Sequence, residues 1–153
     1  MVIGNPSSAR AVPDEDAIAV ARLRAAGAII LGKTNVPYLS SDFQSYNAIY
    51  GATNNPWDLA HTPGGSSGGA AAALASGQAW VAHGSDMGGS LRNPASFCGI
   101  VGMRPTAGRV ASNNRAIIDQ TLGVQGPMAR NVEDMALLFD AMSGEDRRGA
   151  QQQ

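Results

Sequence analysis

A chain of 153 residues, of which 44% are hydrophobic and 15% are charged, is long enough to form one domain with its own core. Its net charge of −1 and its lack of a basic stripe argue against nucleic acid as a partner. Cys98 is the single cysteine, which excludes an internal disulfide, and no signal-peptide pattern stands at the start, so we expect a cytoplasmic protein. No apolar stretch is long enough to cross a bilayer, which predicts a soluble protein with no membrane segment.

The first third of the chain predicts a helix, a buried strand and a long loop. Residues 14–16 are acidic and follow Pro13, and an alanine-rich run continues to Gly27, which predicts a helix with an acidic first turn and a glycine stop. Residues 28–31 are a short, continuous apolar run, typical of a strand that is buried on both faces. Lys33 lies just past its end. Residues 36–59 predict loops and one short helix.

Small residues dominate the middle of the chain. Residues 70–75 predict a short buried helix that begins after Gly68 and Gly69 and is closed by Gly77. Residues 79–82 predict a strand, after which a second glycine-rich loop leads to Ser90.

The last third predicts another strand segment at 99–103 and a helix that Asn131 caps and that ends at Gly144. Residues 145–153 predict a frayed tail. Helices that alternate with buried strands favour an α/β architecture in which a mixed β-sheet is flanked by helices.

Glycine is the unusual feature of the composition, at 19 of 153 residues or about 12% against a usual value of about 7%. Two clusters, at 64–69 and 84–89, surround serines with a backbone that is nearly free of side chains. Consecutive amides from Met87 to Ser90 could converge on a developing oxyanion while Ser90 attacks, and one such donor is commonly worth about 3 kcal/mol. This pattern predicts a nucleophile beside its own oxyanion hole.

A serine nucleophile needs a base, and neither His61 nor His83 lies in a recognisable base motif. Lys33 is the other candidate, because burial at the end of a strand would favour its neutral form. A neutral amine can accept a proton from a serine.

Three motifs occur in a fixed order: Gly-Lys-Thr-Asn at 32–35, Thr-Pro-Gly-Gly-Ser-Ser-Gly-Gly at 62–69, and Gly-Ser-Asp-Met-Gly-Gly-Ser-Leu-Arg at 84–92. With Asn-Pro-Ala, Phe-Cys-Gly-Ile-Val-Gly, Arg-Pro-Thr and Gly-Pro-Met-Ala-Arg further along, the sequence resembles the amidase signature family. The resemblance covers roughly residues 14–144 of what we interpret as a single, partial amidase domain over residues 1–153.

The resemblance implies a Ser–Ser–Lys triad. Ser90 would be the nucleophile, Ser66 would relay the proton through a cis peptide, and Lys33 would be the base. The amides of Met87, Gly88, Gly89 and Ser90 would form the oxyanion hole.

The resemblance also implies the supporting residues and the reaction. Asp86 and Arg92 would pair and hold the nucleophile loop, and Ser67 would support the site. The expected activity is hydrolysis of a small-molecule carboxamide to a carboxylate and an amine or ammonia, through an acyl-enzyme on Ser90 and without a metal or organic cofactor.

Two other motifs match as strings of letters. Residues 27–34 satisfy the phosphate-binding loop pattern, which would make the chain a nucleotide-binding protein, but the four intervening residues themselves predict a strand. Residues 64–68 satisfy the nucleophile elbow of α/β-hydrolases, but no hydrophobic strand precedes them and no histidine follows the later acids. Cys98 predicts a core residue, and the two histidines have no partners at metal-ligand spacing.

A non-enzymatic hypothesis remains, because members of the family are several times longer than this chain. The chain would then be a catalytically incompetent fragment that acts only as a folded, binding or assembly module. Its exposed sheet edges would favour a homo-oligomer or a complementary chain that covers them.

Overall fold

The computed structural model describes residues 4–112 and 122–146 of the chain. Four α-helices, five short strands and two single-turn 3-10 helices occur in these ranges. In chain order they are a 3-10 helix at Pro6–Ser8, α1 (Ile18–Ala25), a 3-10 helix at Tyr38–Ser40, β1 (Tyr46–Asn47), β2 (Gly51–Ala52), α2 (Gly68–Ala75), β3 (Val81–Asp86), α3 (Arg92–Cys98), β4 (Val101–Gly102), β5 (Val124–Ala129) and α4 (Val132–Met142).

The main sheet has the order β3-β5-β4, and both of its pairings are antiparallel. The register runs from Val81 opposite Ala129 to Asp86 opposite Val124. Strands β1 and β2 form a separate antiparallel hairpin. This combination of sheet and helices confirms the α/β class that the sequence predicts.

Two apolar clusters hold the described elements together. The first joins α2, α3 and the sheet through Ala71, Leu74, Leu91, Cys98 and Met128, all of them fully buried. Cys98 is therefore a core residue as predicted, and burial raises the pKa of its thiol.

The second cluster joins the first and last helices through Ala19, Leu23, Leu138 and Met142. Arg22 on α1 reinforces it, because its guanidinium donates to the main-chain oxygens of Met142, Gly144 and Glu145 at and just past the end of α4, at 2.9, 2.9 and 2.6 Å. Helix α1 is thus bound to the end of α4.

The prediction of a strand at residues 28–31 is wrong. No described strand pairs with this segment, and its side chains face solvent, with Ile29 87% and Leu31 76% exposed. A strand exists only through hydrogen bonds to a neighbour, and the described sheet offers none to this segment. Lys33 is consequently exposed rather than buried.

Several other elements begin or end at different residues than predicted. Helix α1 begins at Ile18, so its first turn carries no acid, and Asp16 instead pairs with Arg24 at 2.9 Å. The strand predicted at 79–82 begins at Val81 and continues to Asp86, and the segment predicted at 99–103 is reduced to β4. Helix α3 and strand β5 were not predicted.

Helices with strong local signals agree with their predictions. Helix α2 spans Gly68–Ala75, with Gly77 at φ +76° just beyond it. The side chain of Asn131 caps α4 by accepting from the amide of Asp134 at 2.8 Å. Residues 147–153 of the predicted tail lie outside the described residues. Among the residues described, no helix is long and apolar enough to span a membrane.

Candidate active site

The carboxylate of Asp86, at the end of β3, organises the loop that carries Ser90. Asp86 is only 1% exposed, and it accepts hydrogen bonds from the amides of Gly89 at 2.9 Å and Leu91 at 3.1 Å. Arg92 adds two more, from Nε and Nη2, both at 3.0 Å. Asp86 and Arg92 thus form the pair that the family resemblance implies, and together they close the loop between β3 and α3.

Arg104 is a second guanidinium on the same carboxylate, and it was not predicted. Its Nη1 donates to Asp86 Oδ1 at 3.0 Å and also to the main-chain oxygen of Asp86, while Nη2 donates to the main-chain oxygen of Leu122 at 2.6 Å. Burial opposes the ionisation of Asp86, but the hydrogen bonds from Arg92 and from the two loop amides outweigh it and hold the pKa of Asp86 below its ordinary value. The carboxylate is therefore a permanent anion at neutral pH.

The amides predicted for the oxyanion hole are not equivalent in the structure. The N–H of Gly89 donates to Asp86 and is thereby directed away from any substrate beside Ser90. Within residues 4–112 and 122–146, the amides of Gly88 and Ser90 have no partner. The buried carboxylate thus turns one amide inward and leaves its two neighbours free.

The Ser66 loop is held against the Ser90 loop by main-chain and side-chain contacts. The amide of Ser67 donates to the main-chain oxygen of Ser90 at 3.2 Å. The Ser67 hydroxyl bridges to β3, since it donates to Ser85 O and accepts from Ser85 N, both at 3.3 Å. Ser66 itself is 3% exposed, and the Gly65–Ser66 peptide bond is cis, as the family resemblance implies.

The Lys33 segment reaches this region through Asn35. A Cβ on Gly69 would lie 2.3 Å from the main-chain oxygen of Asn35, so that backbone packs directly on the first turn of α2. The side chain of Asn35 also donates through Nδ2 to Gly51 O and to Thr53 Oγ1, both at 3.1 Å. The structure therefore fixes the chain two residues beyond Lys33.

The three predicted triad side chains are not joined to one another. In the part of the chain that the structure describes, no hydrogen bond links Lys33, Ser66 and Ser90 through their side chains. Two cavities, of about 310 and 390 Å³, lie beside the β1–β2 hairpin, and none of the three residues lines either of them. The structure brings the two serine loops together, and both of these cavities lie away from Ser66 and Ser90.

The remaining candidate residues lie elsewhere. His61 pairs with Asp58 at 2.8 Å on the exposed surface. His83 bonds Gln125 Oε1 through Nε2 at 2.6 Å, and burial lowers the pKa of its imidazole. No group of His, Cys, Asp and Glu that could hold a metal ion occurs within residues 4–112 and 122–146.

Neither of the other sequence matches has the structure that its chemistry needs. Residues 28–37, which contain most of the phosphate-binding pattern, lead into a 3-10 turn rather than opening a helix. The residues before the 64–68 pattern form turns and a loop rather than a strand.

Known proteins resemble the chain over nearly all of its length. A family model described as Amidase matches residues 2–153. One subunit of the glutamyl-tRNA(Gln) amidotransferase of Moorella thermoacetica is 50% identical over 135 residues, which are 88% of this chain and 28% of that protein.

Solved structures show the same fold. The corresponding glutamyl-tRNA(Gln) amidotransferase subunit from Thermotoga maritima superposes with a TM-score of 0.87 at 35% identity over 97% of this chain and 33% of that one. The peptide amidase of Stenotrophomonas maltophilia gives a TM-score of 0.80 at 36% identity over 90% of this chain and 29% of that one. The chain spans about a third or less of the proteins it matches.

Proposed function

The chain belongs to the amidase family, and from that premise we propose that it is the catalytic segment of an amide hydrolase. Ser90 is the nucleophile, Ser66 relays its proton, and Lys33 is the base that receives it. The observation that carries this proposal is the Asp86 carboxylate, which holds Gly89 and leaves the amides of Gly88 and Ser90 free beside the nucleophile.

The reaction proceeds in two steps. Ser90 Oγ attacks the carbonyl carbon of the amide, and its proton passes through the Ser66 hydroxyl to the amine of Lys33. The carbon–nitrogen bond then breaks, the leaving nitrogen takes the proton from Lys33 by way of Ser66, and an ester remains on Ser90. Water hydrolyses that ester to a carboxylate and restores the serine.

The oxyanion of each tetrahedral intermediate would be held by the amides of Met87, Gly88 and Ser90, each fixed in place by the loop that Asp86 closes. The scheme needs neither a metal nor an organic cofactor. The substrate is a small-molecule carboxamide, and its identity depends on the walls of the pocket.

Lys33 is exposed, so the segment lacks the cover that a buried base needs. For Lys33 to act as a base, the neighbouring apolar run must be covered, because burial favours the neutral amine. In the structure, Ile29 and Leu31 are 87% and 76% exposed. The proteins that the chain resembles are about three times as long. We therefore propose that the chain is a partial domain whose exposed segment is covered by a complementary chain or by a second copy. We also propose a cytoplasmic location, because the chain has a single cysteine.

The same exposure favours a second function, in which the chain folds and binds a partner but does not turn over substrate. Ile29, Ile30 and Leu31 form a contiguous exposed apolar run, and exposed apolar patches mark contact surfaces in proteins. In that case the triad would be present without an assembled pocket.

Reaction with a fluorophosphonate, followed by intact-mass and peptide analysis, tests the proposal. We expect one adduct on Ser90 in the wild-type chain, none in Ser90→Ala, and slower labelling in Lys33→Ala that is most marked at neutral pH. A folded sample that forms no adduct, beside a full-length family member that does, would refute the proposal. Labelling without turnover of a panel of small amides would instead support the second function.

A further inference from the structure

Asn93, in the first turn of α3, contacts the backbone of a residue 28 positions earlier. Its Oδ1 accepts from the amide of Gly65 at 3.1 Å, and its Nδ2 donates to the main-chain oxygen of Gly65 at 2.8 Å. One side-chain amide thus binds both polar groups of a single residue. Such a two-point contact fixes orientation as well as distance.

The same residue also holds the nucleophile loop. The main-chain amide of Asn93 donates to the main-chain oxygen of Gly89 at 2.8 Å. Gly89 directly precedes Ser90, and Gly65 directly precedes Ser66. Asn93 is therefore hydrogen-bonded to the residue before each of the two serines.

The contact with Gly65 is close on both sides. A Cβ on Gly64 would lie 2.5 Å from Asn93 Oδ1, and a Cβ on Gly65 would lie 2.9 Å from the backbone of residues 42–44. Gly65 is thus held between Asn93 and that backbone. The glycines at these positions permit the approach that the two hydrogen bonds require.

We propose that Asn93 is the positioning residue for Ser66. The Gly65 carbonyl that it binds belongs to the peptide unit whose nitrogen is that of Ser66, so Asn93 fixes the plane from which the Ser66 side chain projects. Its bond to Gly89 sets that plane relative to Ser90. This inference rests on the proposed function, because a fixed Ser66 matters only if Ser66 relays the proton of Ser90.

A purely structural role for Asn93 makes a different prediction. If Asn93 only anchored α3, its loss would slow the chemistry of Ser90 whether or not Ser66 carries a hydroxyl. If it acts through Ser66, its loss should have no effect once that hydroxyl is gone.

The experiment measures the rate of fluorophosphonate labelling in wild type, Asn93→Ala, Asn93→Asp, Ser66→Ala and the Asn93→Ala/Ser66→Ala double variant. Ser96→Ala, an exposed position on the same helix, is the matched control. Asn93→Asp keeps an acceptor for the Gly65 amide but loses the donor to the Gly65 carbonyl.

We expect Asn93→Ala and Asn93→Asp to slow labelling by about tenfold to a hundredfold, as small displacements of a catalytic group do. Ser96→Ala should match wild type, and the double variant should match Ser66→Ala. An equal slowing by Asn93→Ala in both backgrounds, or a wild-type rate in Asn93→Asp, would overturn the inference.

Amide hydrogen exchange separates this inference from the proposed function. The Gly65 amide should exchange at least about tenfold faster in Asn93→Ala, while the Ala95 amide within α3 keeps its protection. An unlabelled wild-type chain would refute the proposed function while the exchange still tests the contact. An unchanged Gly65 amide would refute the positioning role whatever the labelling shows.

Discussion

Replacing Asp86 by Asn should destabilise the chain strongly, although the two side chains have the same shape. The carboxylate of Asp86 accepts from the amides of Gly89 and Leu91 and from the guanidiniums of Arg92 and Arg104. An Asn amide has one oxygen, so its nitrogen must face donors that it cannot accept from. Both guanidiniums also lose the anion that they share.

The magnitude follows from the number of bonds lost and from the exposure of the partners. At least two charge-assisted hydrogen bonds disappear, each worth about 1.5–3 kcal/mol, and breaking a buried ion pair costs about 3–5 kcal/mol. Arg92 is 55% exposed and Arg104 25% exposed, so water compensates part of that loss. We expect a decrease of about 2–4 kcal/mol in the free energy of unfolding at pH 7.

The effect should also depend on pH in one direction. The pKa of Asp86 is lower in the folded chain than the value of about 3.9 in an unfolded one. Its stabilisation is therefore complete above pH 5 and declines as the pH falls below about 4, where the unfolded chain takes up a proton first. The difference between wild type and Asp86→Asn should shrink over that lower range.

Urea unfolding followed by far-UV circular dichroism at pH 7, 5, 4 and 3.5 measures both effects. Asp140→Asn, which removes an exposed carboxylate on α4, serves as the control and should change stability by less than about 0.5 kcal/mol. A loss below about 1 kcal/mol at pH 7, or a difference that does not change down to pH 3.5, would refute this account of Asp86. A variant already unfolded without urea would show a loss at least as large as expected.

Three further predictions concern packing. Gly69→Ala should cost about 1–3 kcal/mol of stability in urea unfolding, because its methyl group would collide with the backbone of Asn35. Leu74→Ala should cost about 2–5 kcal/mol in the same assay, because Leu74 is fully buried in the first cluster. The thiol of Cys98, buried and with a raised pKa, should react with iodoacetamide at least about a hundredfold more slowly in the folded chain than in urea.

Each of the two substitutions has a matched control within the chain. Gly88→Ala meets its nearest neighbour at 3.7 Å and should be tolerated, and Leu137→Ala, at an exposed position on α4, should be nearly neutral. Equal losses in Gly69→Ala and Gly88→Ala, or in Leu74→Ala and Leu137→Ala, would contradict the packing described above. Alkylation of Cys98 at the same rate in buffer and in urea would show that its site opens freely.

Elements with local signals could be predicted from the sequence. Gly77 ends α2 because it adopts φ +76°, and Asn131 begins α4 because its side chain bonds an amide three residues on. Such contacts lie within a few residues and leave a recognisable pattern. The prediction of a strand at 28–31 was wrong because a strand depends on a distant neighbour. The local pattern does not specify that neighbour.

The same distinction between local signals and distant partners applies to the candidate site. The loops of Ser66 and Ser90 could be predicted because glycine clusters and ordered motifs mark them. Arg104 and Asn93 could not, because their partners are 18 and 28 residues away. An arginine or asparagine in isolation carries no signal for a contact that only the fold creates.

The bonds from Arg22 to the main chain at Met142, Gly144 and Glu145 have a consequence for the order in which the chain folds during synthesis. Helix α1 leaves the ribosome about 120 residues before its partner, which at about 5–20 residues per second is a delay of roughly 6–24 s. During that time its apolar face has no α4 to pack against. Helix α1 is therefore secured only after α4 has been made, and a nascent chain stopped before residue 142 would leave it open to a chaperone or a protease.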